Sequence, residues 1–254
     1  MKRLALALSL GIATAVSSPA FAACDDPIKV GWEPWPPFQI PTESGAPNGI
    51  DPDILREIGA RTGCEITFHE TPWKRHLRMV ANGDLHIAPA ANKTAERDAY
   101  AKWTVSYMPY EAILWTDAEA SSSFDSLKAY LDAGHSVGII RGITLGEKMD
   151  ALLAQPEYAD QVRENKSTKI NIRMIAAGRL DGLVDNATTT GYIAKQENLR
   201  DEIKPSELVV QSDDIHFMFS DTATPQETID LFDEAIREMK ADGTIQKIVG
   251  EYTN

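Results

Sequence analysis

The stretch of sequence that decides the fold is IKVGWEPWPPFQIPTESGAPNGIDPDILREIGARTGCEITF, residues 28–68. It begins with a short strand, residues 28–32, and continues into a proline-rich loop that cannot be the interior of a helix. A helix follows, for which we expect Asp51 to be the cap and a proline to be the first residue. Gly63 ends the helix and residues 66–68 form the next strand. The segment therefore predicts a strand–helix–strand unit.

The same alternation continues toward the C-terminus. Thr71 and the proline after it repeat the capping device, and on the helix that they open we interpret His76 as a solvated residue. Further strands are predicted at residues 85–88, 136–140, 180–184 and 215–219, and further helices at residues 127–133, 142–145 (a helix start), 172–177, 187–196 and 225–241. Such units favour α/β lobes with mostly parallel sheets covered by helices. Because the pattern restarts after a small polar stretch at residues 121–123, we expect two similar lobes and a crossing between them near that stretch.

The N-terminus has the plan of a secretory signal peptide. Lys2 and Arg3 precede an apolar run at residues 4–16, and residues 20–22 form a small-x-small cleavage site. The run is too short for a retained membrane anchor. We therefore expect residues 1–22 to be removed and the mature protein to reside in the periplasm.

The charge of the chain argues against a nucleic-acid partner. The formal net charge is −13, and loss of Lys2 and Arg3 takes it to −15. An acidic chain without a basic stripe repels phosphate backbones.

Two cysteines, Cys24 and Cys64, are present. In an oxidising compartment an isolated pair favours a disulfide over a metal site. Each cysteine lies just before a predicted strand, so parallel neighbouring strands would place both at one edge of the sheet. Lipid attachment at Cys24 is the alternative, for which Phe21 is a poor fit.

Motifs for catalysis are missing from the sequence. The five histidines are scattered without metal-ligand spacing, and no nucleophile elbow, phosphate-cradling glycine loop or reactive-cysteine context occurs. We therefore expect no catalytic residue, no metal and no cofactor.

Polar and aromatic residues concentrate instead at four predicted strand-to-helix turns, residues 35–38, 90–97, 141–144 and 185–188. Ligands of open α/β folds bind beyond the carboxyl ends of strands, where helix N-termini present free N–H groups. Arg97 has the donor geometry to hold a carboxylate. Each feature also has a structural reading, as a surface ion pair, a helix cap or a core aromatic residue.

Five segments in this order resemble the periplasmic solute-binding proteins of family three, which serve polar amino acid uptake. The segments are the aromatic-x-Pro-Phe loop at residues 35–38, the Gly-apolar-Asp-x-Asp signature at residues 49–54, the strand and Thr-x-x-Arg turn at residues 83–97, and residues 177–182 and 240–244. The resemblance implies the two-lobed type II periplasmic-binding-protein fold, in which each lobe is a mixed, mostly parallel sheet flanked by helices.

This resemblance also implies how the lobes are joined and what they do. Two crossover strands would lie near residues 112–116 and 214–219. Lobe 1 would comprise residues 23–114 and 216–254, and lobe 2 residues 115–215. A monomer would capture a small carboxylate-bearing solute between the lobes and pass it to an ABC-type permease in the inner membrane.

Roles at the site follow residue by residue. Arg97 matches the arginine that holds the carboxylate, and Thr144 matches a donor from the other lobe. The ligand-binding residues that we expect are Trp35, Phe38, Trp73, Ala90, Asn92, Arg97, Arg141, Thr144 and Asn186.

Two departures from the family pattern bear on the ligand. Ala90 stands where a serine-type group is usual, and Asn186 stands where an aspartate pairs with the ligand ammonium. An amide supplies no charge, and the adjacent Asp185 would point to the other face of its strand. We therefore expect a solute with a carboxylate and an aromatic or otherwise flat part.

Two other classes of function stay open at this point. Periplasmic cyclohexadienyl dehydratases resemble the same family, and turnover of prephenate or arogenate would identify such an enzyme. An accessory or sensory protein would instead signal to a separate membrane partner. The shared fold cannot separate these classes.

Overall fold

The computed structural model describes residue 24 and residues 26–121, 123–142 and 145–253. The expected signal peptide and Thr144 lie outside this part of the chain. The strands are β1 (Ile28–Trp32), β2 (Ile66–Glu70), β3 (Ile87–Ala91), β4 (Ala101–Trp103), β5 (Met108–Asp117), β6 (Val137–Ile140), β7 (Val162–Asn165), β8 (Gly182–Asn186) and β9 (Ile203–Ser220). The helices are α1 (Ile50–Thr62), α2 (Trp73–Asn82), α3 (Ala95–Asp98), α4 (Leu127–Asp132), α5 (Glu147–Leu153), α6 (Thr168–Ala176), α7 (Ala187–Gln196), α8 (Gln226–Ala241) and α9 (Thr244–Thr253).

The strands form one mixed sheet in the order β2-β1-β3-β9-β5-β8-β6-β7, with β4 paired to β9. β1 pairs in parallel with β2 and β3, and β6 pairs in parallel with β7 and β8. Each antiparallel pair involves one or both of the long strands β5 and β9. The strands β9 and β5 therefore connect two halves of the molecule, the first with β1, β2 and β3 and the second with β6, β7 and β8. None of the described helices is long and apolar enough to cross a membrane.

The two halves have separate cores. Val30, Phe38 and Phe232 belong to a cluster in the first half, together with Met108 at the start of β5. Further along the same strand, Ala112 and Leu114 pack in a cluster of the second half. We infer from this change of core that β5 carries the chain across, as expected for the crossover strand near residues 112–116. We propose that the boundary in β5 lies nearer residue 111 than residue 114.

β9 is the strand whose length differs most from the prediction. Residues 215–219 were predicted as a strand, whereas the observed strand spans Ile203–Ser220. The missing part, residues 203–214, consists mostly of exposed or half-buried residues and pairs with β5 along one edge. The apolar residues of this part, Ile203 and residues 208–210, are too few to mark a strand of this length. The strands β4 and β7 and the helix α9 were not predicted either.

For α1, the predicted N-terminal cap is wrong and the predicted C-terminal end is correct. The N-cap residue is Gly49, and Asp51 makes no cap hydrogen bond. The Asp51 carboxylate is buried and accepts hydrogen bonds from the Tyr107 hydroxyl at 2.6 Å and from Gln39 Nε2 at 2.9 Å. Gly63 ends the helix in the left-handed conformation, with φ 76°. Likewise, Thr71 does not cap α2, because Pro72 occupies that position.

The prediction that His76 is solvated is also wrong. The side chain is 1 % exposed, and its Nε2 lies 3.2 Å from the carbonyl oxygen of Trp32. His76 and Val80 are the buried residues of α2 and are one helical turn apart, so both face the sheet. Desolvation lowers the pKa of the imidazole.

Several smaller differences concern element ends. The strand predicted at residues 85–88 is β3, which runs two to three residues later, and the helix expected to open at Gly142 begins at Glu147. The prediction for α7 matches its observed bounds.

The expected Cys24–Cys64 disulfide is confirmed. β1 and β2 are parallel neighbours with Ile28 opposite Ile66, which places both cysteines at one edge of the sheet. A sulfur atom in this bridge cannot also carry a lipid thioether. The alternative of lipid attachment at Cys24 is therefore excluded for the bridged protein.

Candidate functional site

A cavity of about 290 Å³ lies at the carboxyl ends of β1 and β3, beside the start of α2. Five of the expected ligand-binding residues line it, namely Trp35, Trp73, Ala90, Asn92 and Arg97. Its other lining residues are Glu33, Gln39 and Pro89, which the sequence analysis did not identify. The location is the one at which open α/β sheets bind ligands.

Arg97 is oriented by its neighbours and carries an unmatched charge. Thr94 caps α3 by accepting a hydrogen bond from the backbone N–H of Arg97. The guanidinium donates from Nη1 to both the carbonyl oxygen and Oδ1 of Asn92, each at 2.8 Å, and lies over the Trp73 ring at 5.5 Å. Within the described residues, no carboxylate forms an ion pair with it and nothing accepts from Nε or Nη2. The half-buried Arg97 guanidinium therefore has N–H groups with which it can bind an anion.

Trp35, which lines the cavity, belongs to a cluster of three aromatic residues. Trp35 stacks on Phe38 with ring centroids 4.6 Å apart, and Tyr110 lies about 6 Å from both rings, at 6.1 and 6.2 Å. Phe38 is fully buried and belongs to the core, whereas Trp35 is half-buried and lines the cavity. Phe38 thus supports the cavity wall from behind and does not face the cavity itself.

Ala90 contributes through its backbone. It has φ 53°, in the left-handed region that non-glycine residues seldom adopt. The strain falls in a bulge of β3 between Ala88 and Ala91, where the pairing with β9 shifts register. Because a methyl side chain forms no hydrogen bonds, any hydrogen bond between Ala90 and a ligand involves the backbone, whose N–H also interacts with the Tyr107 hydroxyl. Strain of this kind concentrates at binding sites.

The cavity continues into a second one of about 200 Å³ beside the crossover strands. Trp35, Ala90 and Asn92 line both cavities. The second cavity adds Tyr110 from β5 together with Asp213 and Ile215 from β9. The cleft therefore extends from Arg97 to the strands that join the two halves.

Arg141 and Asn186, expected from the second half, line neither of these two cavities. Arg141 is exposed at the end of β6, and its Nε lies 3.7 Å from a carboxylate oxygen of Glu164. Asn186 is buried and caps α7, since its Oδ1 accepts from Thr189 N at 2.9 Å while its Nδ2 donates to the carbonyl oxygen of Glu111 at 3.3 Å. Both ends of this amide have partners within the fold.

Asp185 precedes that capping residue. Its carboxylate accepts hydrogen bonds from the Thr168 hydroxyl and from the backbone N–H of Asn186. Desolvation raises its pKa, and burial together with the charge of Asp185 raises the pKa of Tyr110. Asp185 is therefore close to the aromatic cluster of the first half.

Glu33 places a carboxylate in the same cavity as Arg97. Its Oε2 accepts a hydrogen bond from Trp73 N at 2.9 Å, at the start of α2, and its own backbone N–H donates to Gln39 Oε1 at 3.1 Å. One signal in the sequence could have identified it, because it directly follows β1 in the turn that carries Trp35.

A buried carboxylate lies behind this wall. Gln39 links the cavity to Asp51, whose second partner, Tyr107, stacks on Phe217 with ring centroids 4.4 Å apart. Burial raises the pKa of Asp51 from 3.8 to about 7, although the hydrogen bonds from Tyr107 and Gln39 act in the opposite direction. The folded state therefore binds a proton at Asp51 more tightly than the unfolded chain does.

We expect this carboxyl group to make the protein less stable as the pH rises. Between about pH 4 and pH 7 the unfolded chain has lost the Asp51 proton and the folded protein keeps it, so the free energy of unfolding falls across this window. The effect is on the order of 4 kcal/mol, from about 1.4 kcal/mol for each pH unit. Below pH 4 both states are protonated and the contribution is constant.

Urea unfolding of the wild type and of Asp51→Asn between pH 4 and 8 measures this contribution. Groups other than Asp51 titrate in both proteins, so the difference in unfolding free energy isolates the buried carboxyl. Relative to the wild type, the variant should gain stability steadily from pH 4 to pH 7. A difference that stays constant with pH would contradict the raised pKa.

Two halves joined by two long strands, with an oriented arginine in the cleft beside them, define a two-lobed solute-binding protein of the type II periplasmic-binding-protein fold. The fold class predicted from the sequence is thus confirmed, and solved structures share it. The chain belongs to the bacterial extracellular solute-binding proteins, family 3, whose family model matches residues 28–254.

Individual relatives agree with this assignment. The chain is 26 % identical over 229 residues to a probable histidine-binding protein of Campylobacter jejuni, covering 89 % of this chain and 84 % of that one. It is 24 % identical over 264 residues to the histidine-binding periplasmic protein of Salmonella typhimurium, covering 99 % and 97 %. The second substrate-binding domain of a putative amino acid ABC transporter from Streptococcus pneumoniae superimposes with a TM-score of 0.75 at 20 % identity, covering 90 % of this chain and all of that one.

Proposed function

We propose that the protein captures an amino acid, or a close relative of one, in this cleft and delivers it to an ABC-type permease of the inner membrane. The observation that carries the proposal is Arg97, a half-buried guanidinium that Asn92 and Trp73 orient and that has no ion-pair partner among the described residues. A carboxylate is the group that matches its planar fork of donors. The cavity, at about 290 Å³, lies at the small end of the range for small-molecule sites.

The remaining lining residues favour a solute with a flat side group. Trp35 and Trp73 present aromatic surface on which a flat ring can pack. Glu33 adds a carboxylate that can accept a hydrogen bond from a ring N–H or another cationic nitrogen. The histidine-binding relatives support this class of solute, because an imidazole is flat and carries N–H groups.

Location and partners follow from the same proposal. Removal of residues 1–22 would release the mature chain into the periplasm, and the Cys24–Cys64 disulfide suits that oxidising compartment. The mature protein would act as a monomer and would bind its solute without turnover. Its relatives are named binding proteins, which supports this reading over the dehydratase alternative.

A thermal-shift screen of the mature protein, refolded from denaturant to remove any bound solute, tests the proposal. The panel contains amino acids, their decarboxylated and deaminated relatives, aromatic acids, prephenate and arogenate. A solute present at about 100 times its Kd should raise the Tm by roughly 5–10 °C, since binding to the folded state alone adds about 2.7 kcal/mol.

The expected hits are carboxylate compounds with flat side groups, and their decarboxylated relatives should give no shift. Equal shifts with and without the carboxylate, or no shift across the panel, would contradict the proposal. Conversion of prephenate or arogenate to product would establish the enzyme instead.

A further inference from the structure

We propose that Asp213, on the crossover strand β9, binds the ammonium group of the solute. This inference rests on the proposed function, since it assigns the cationic half of the same solute. Among the residues that line the second cavity, Asp213 is the charged one. This cavity and the cavity of Arg97 share the wall formed by Trp35, Ala90 and Asn92. A solute held by its carboxylate at Arg97 and extending along that shared wall therefore meets the Asp213 carboxylate.

Strand pairing aims Asp213 into the cavity. Tyr110 of β5 and Asp213 of β9 are directly opposite each other in the antiparallel ladder, so their side chains project to the same face. Ile215, two residues further along β9, lines the same cavity, as the alternation of a strand requires. Asp214 lies between them, and its carboxylate accepts a hydrogen bond from the Ser106 hydroxyl at 2.8 Å. The two adjacent aspartates therefore belong to different faces of one strand.

The Asp213 carboxylate has capacity for a ligand. Its Oδ2 accepts from Gln211 Nε2 at 3.0 Å, and among the described residues it has no cationic partner. A carboxylate provides about four lone-pair sites, so one neutral partner leaves most of them unused. An ammonium at this position would also lie near the rings of Trp35 and Tyr110, which attract cations through their faces.

Two other acceptors are less well placed for the ammonium than Asp213. The amide of Asn186 carries no charge and has partners at both ends, Thr189 and Glu111. Glu33 lines the first cavity beside Trp73, where it is assigned above to the side group of the solute, and it does not line the second cavity. A solute ammonium that enters this cavity gives up part of its water shell beside Trp35 and Tyr110, so a counter-charge there favours binding. Asp213 supplies that charge at the wall that both cavities share.

Calorimetric titration with matched variants tests this assignment. The titrants are the amino acid that gives the largest thermal shift with the wild type and its deaminated analogue, which keeps the carboxylate. Asp213→Asn should weaken binding of the amino acid by about ten- to a hundredfold, the range for loss of a charge-assisted hydrogen bond. Binding of the deaminated analogue should stay within about threefold of the wild type, because it has no ammonium to lose.

Asp214→Asn is the matched control, since it removes the same charge from the adjacent residue on the other face of β9. It should change the affinity for the amino acid by no more than about threefold, because salt at physiological concentration screens the long-range effect of a single exposed charge. Thermal unfolding of the two unliganded variants checks that both fold as the wild type does.

Amino acid affinity that is unchanged in Asp213→Asn would overturn the inference, and loss of affinity in Glu33→Gln or Asp185→Asn would then locate the ammonium elsewhere. Failure of the proposed function looks different, because the wild type would then bind none of the solutes. Equal losses in Asp213→Asn and Asp214→Asn would likewise overturn it, since they would indicate a general effect of charge.

Discussion

Arg97→Ala is expected to weaken solute binding by about a hundredfold or more. In the wild type, Asn92 fixes the guanidinium through Nη1 and Trp73 supports its face at 5.5 Å, so the three N–H groups on Nε and Nη2 stay available to a solute without rearrangement. Truncating one partner of a desolvated, hydrogen-bonded charge pair costs about 2–5 kcal/mol. The solute carboxylate would be left in the cavity without a cation. Calorimetric titration of the strongest binder from the thermal-shift screen measures the loss.

Two further variants separate geometry from charge. Arg97→Lys keeps the charge but loses the planar fork and the contact with the Trp73 ring, so we expect an affinity between those of the wild type and of Arg97→Ala. Arg237→Ala removes the same charge from the exposed face of α8, where the residue pairs with Asp233 and Glu234. It should leave binding within about twofold, as is usual for an exposed ion pair. Undiminished binding by Arg97→Ala would place the carboxylate elsewhere in the cleft.

Local patterns explain how much of the fold could be predicted. The apolar residues Ile54, Leu55 and Ile58 recur at helical spacing and are all fully buried in α1. Gly63 ends that helix in the left-handed conformation, which glycine adopts without steric cost because it has no side chain. The glycine therefore predicts the end of the helix from the sequence alone. Features of this kind depend on neighbours in the chain and can be recognised without the structure.

Buried polar residues were the main source of error in the fold. Asp51 was assigned to a cap and His76 to the surface because polar side chains usually occupy such positions. Both are buried, and their partners Tyr107 and Trp32 come from other elements. Only the tertiary structure shows which distant hydroxyl or carbonyl group satisfies a buried polar atom.

The site divides in the same way. Asn92, Thr94 and Arg97 form one local turn, so a single motif identifies them. Asp213 has no motif around it, and it reaches the cavity only because β9 crosses between β3 and β5. The pairing of distant strands brings such residues together, and a short stretch of sequence contains no signal for it.

Gly49→Ala is expected to lower the free energy of unfolding by about 3 kcal/mol or more. Gly49 has φ 118° and ψ 175°, a conformation that is essentially restricted to glycine and costs another residue about 1–3 kcal/mol. A Cβ atom there would lie 2.5 Å from the carbonyl oxygen of Phe38 and 2.8 Å from that of Pro37. Backbone atoms cannot move aside as a flexible side chain can, so overpacking adds about 1–3 kcal/mol. Urea unfolding at a fixed pH measures the difference.

Gly45→Ala provides the matched control within the same loop. Gly45 also has a positive φ, 82°, but a Cβ atom there would meet nothing within 4 Å. That variant should therefore lose only about 1 kcal/mol, from backbone strain alone. Because Phe38 stacks under Trp35 at 4.6 Å, a shift of the Phe38 backbone in Gly49→Ala should also disturb the cavity wall and weaken solute binding. Equal losses of stability in the two variants would show that the loop yields to the added methyl group, and solute binding should then be unaffected as well.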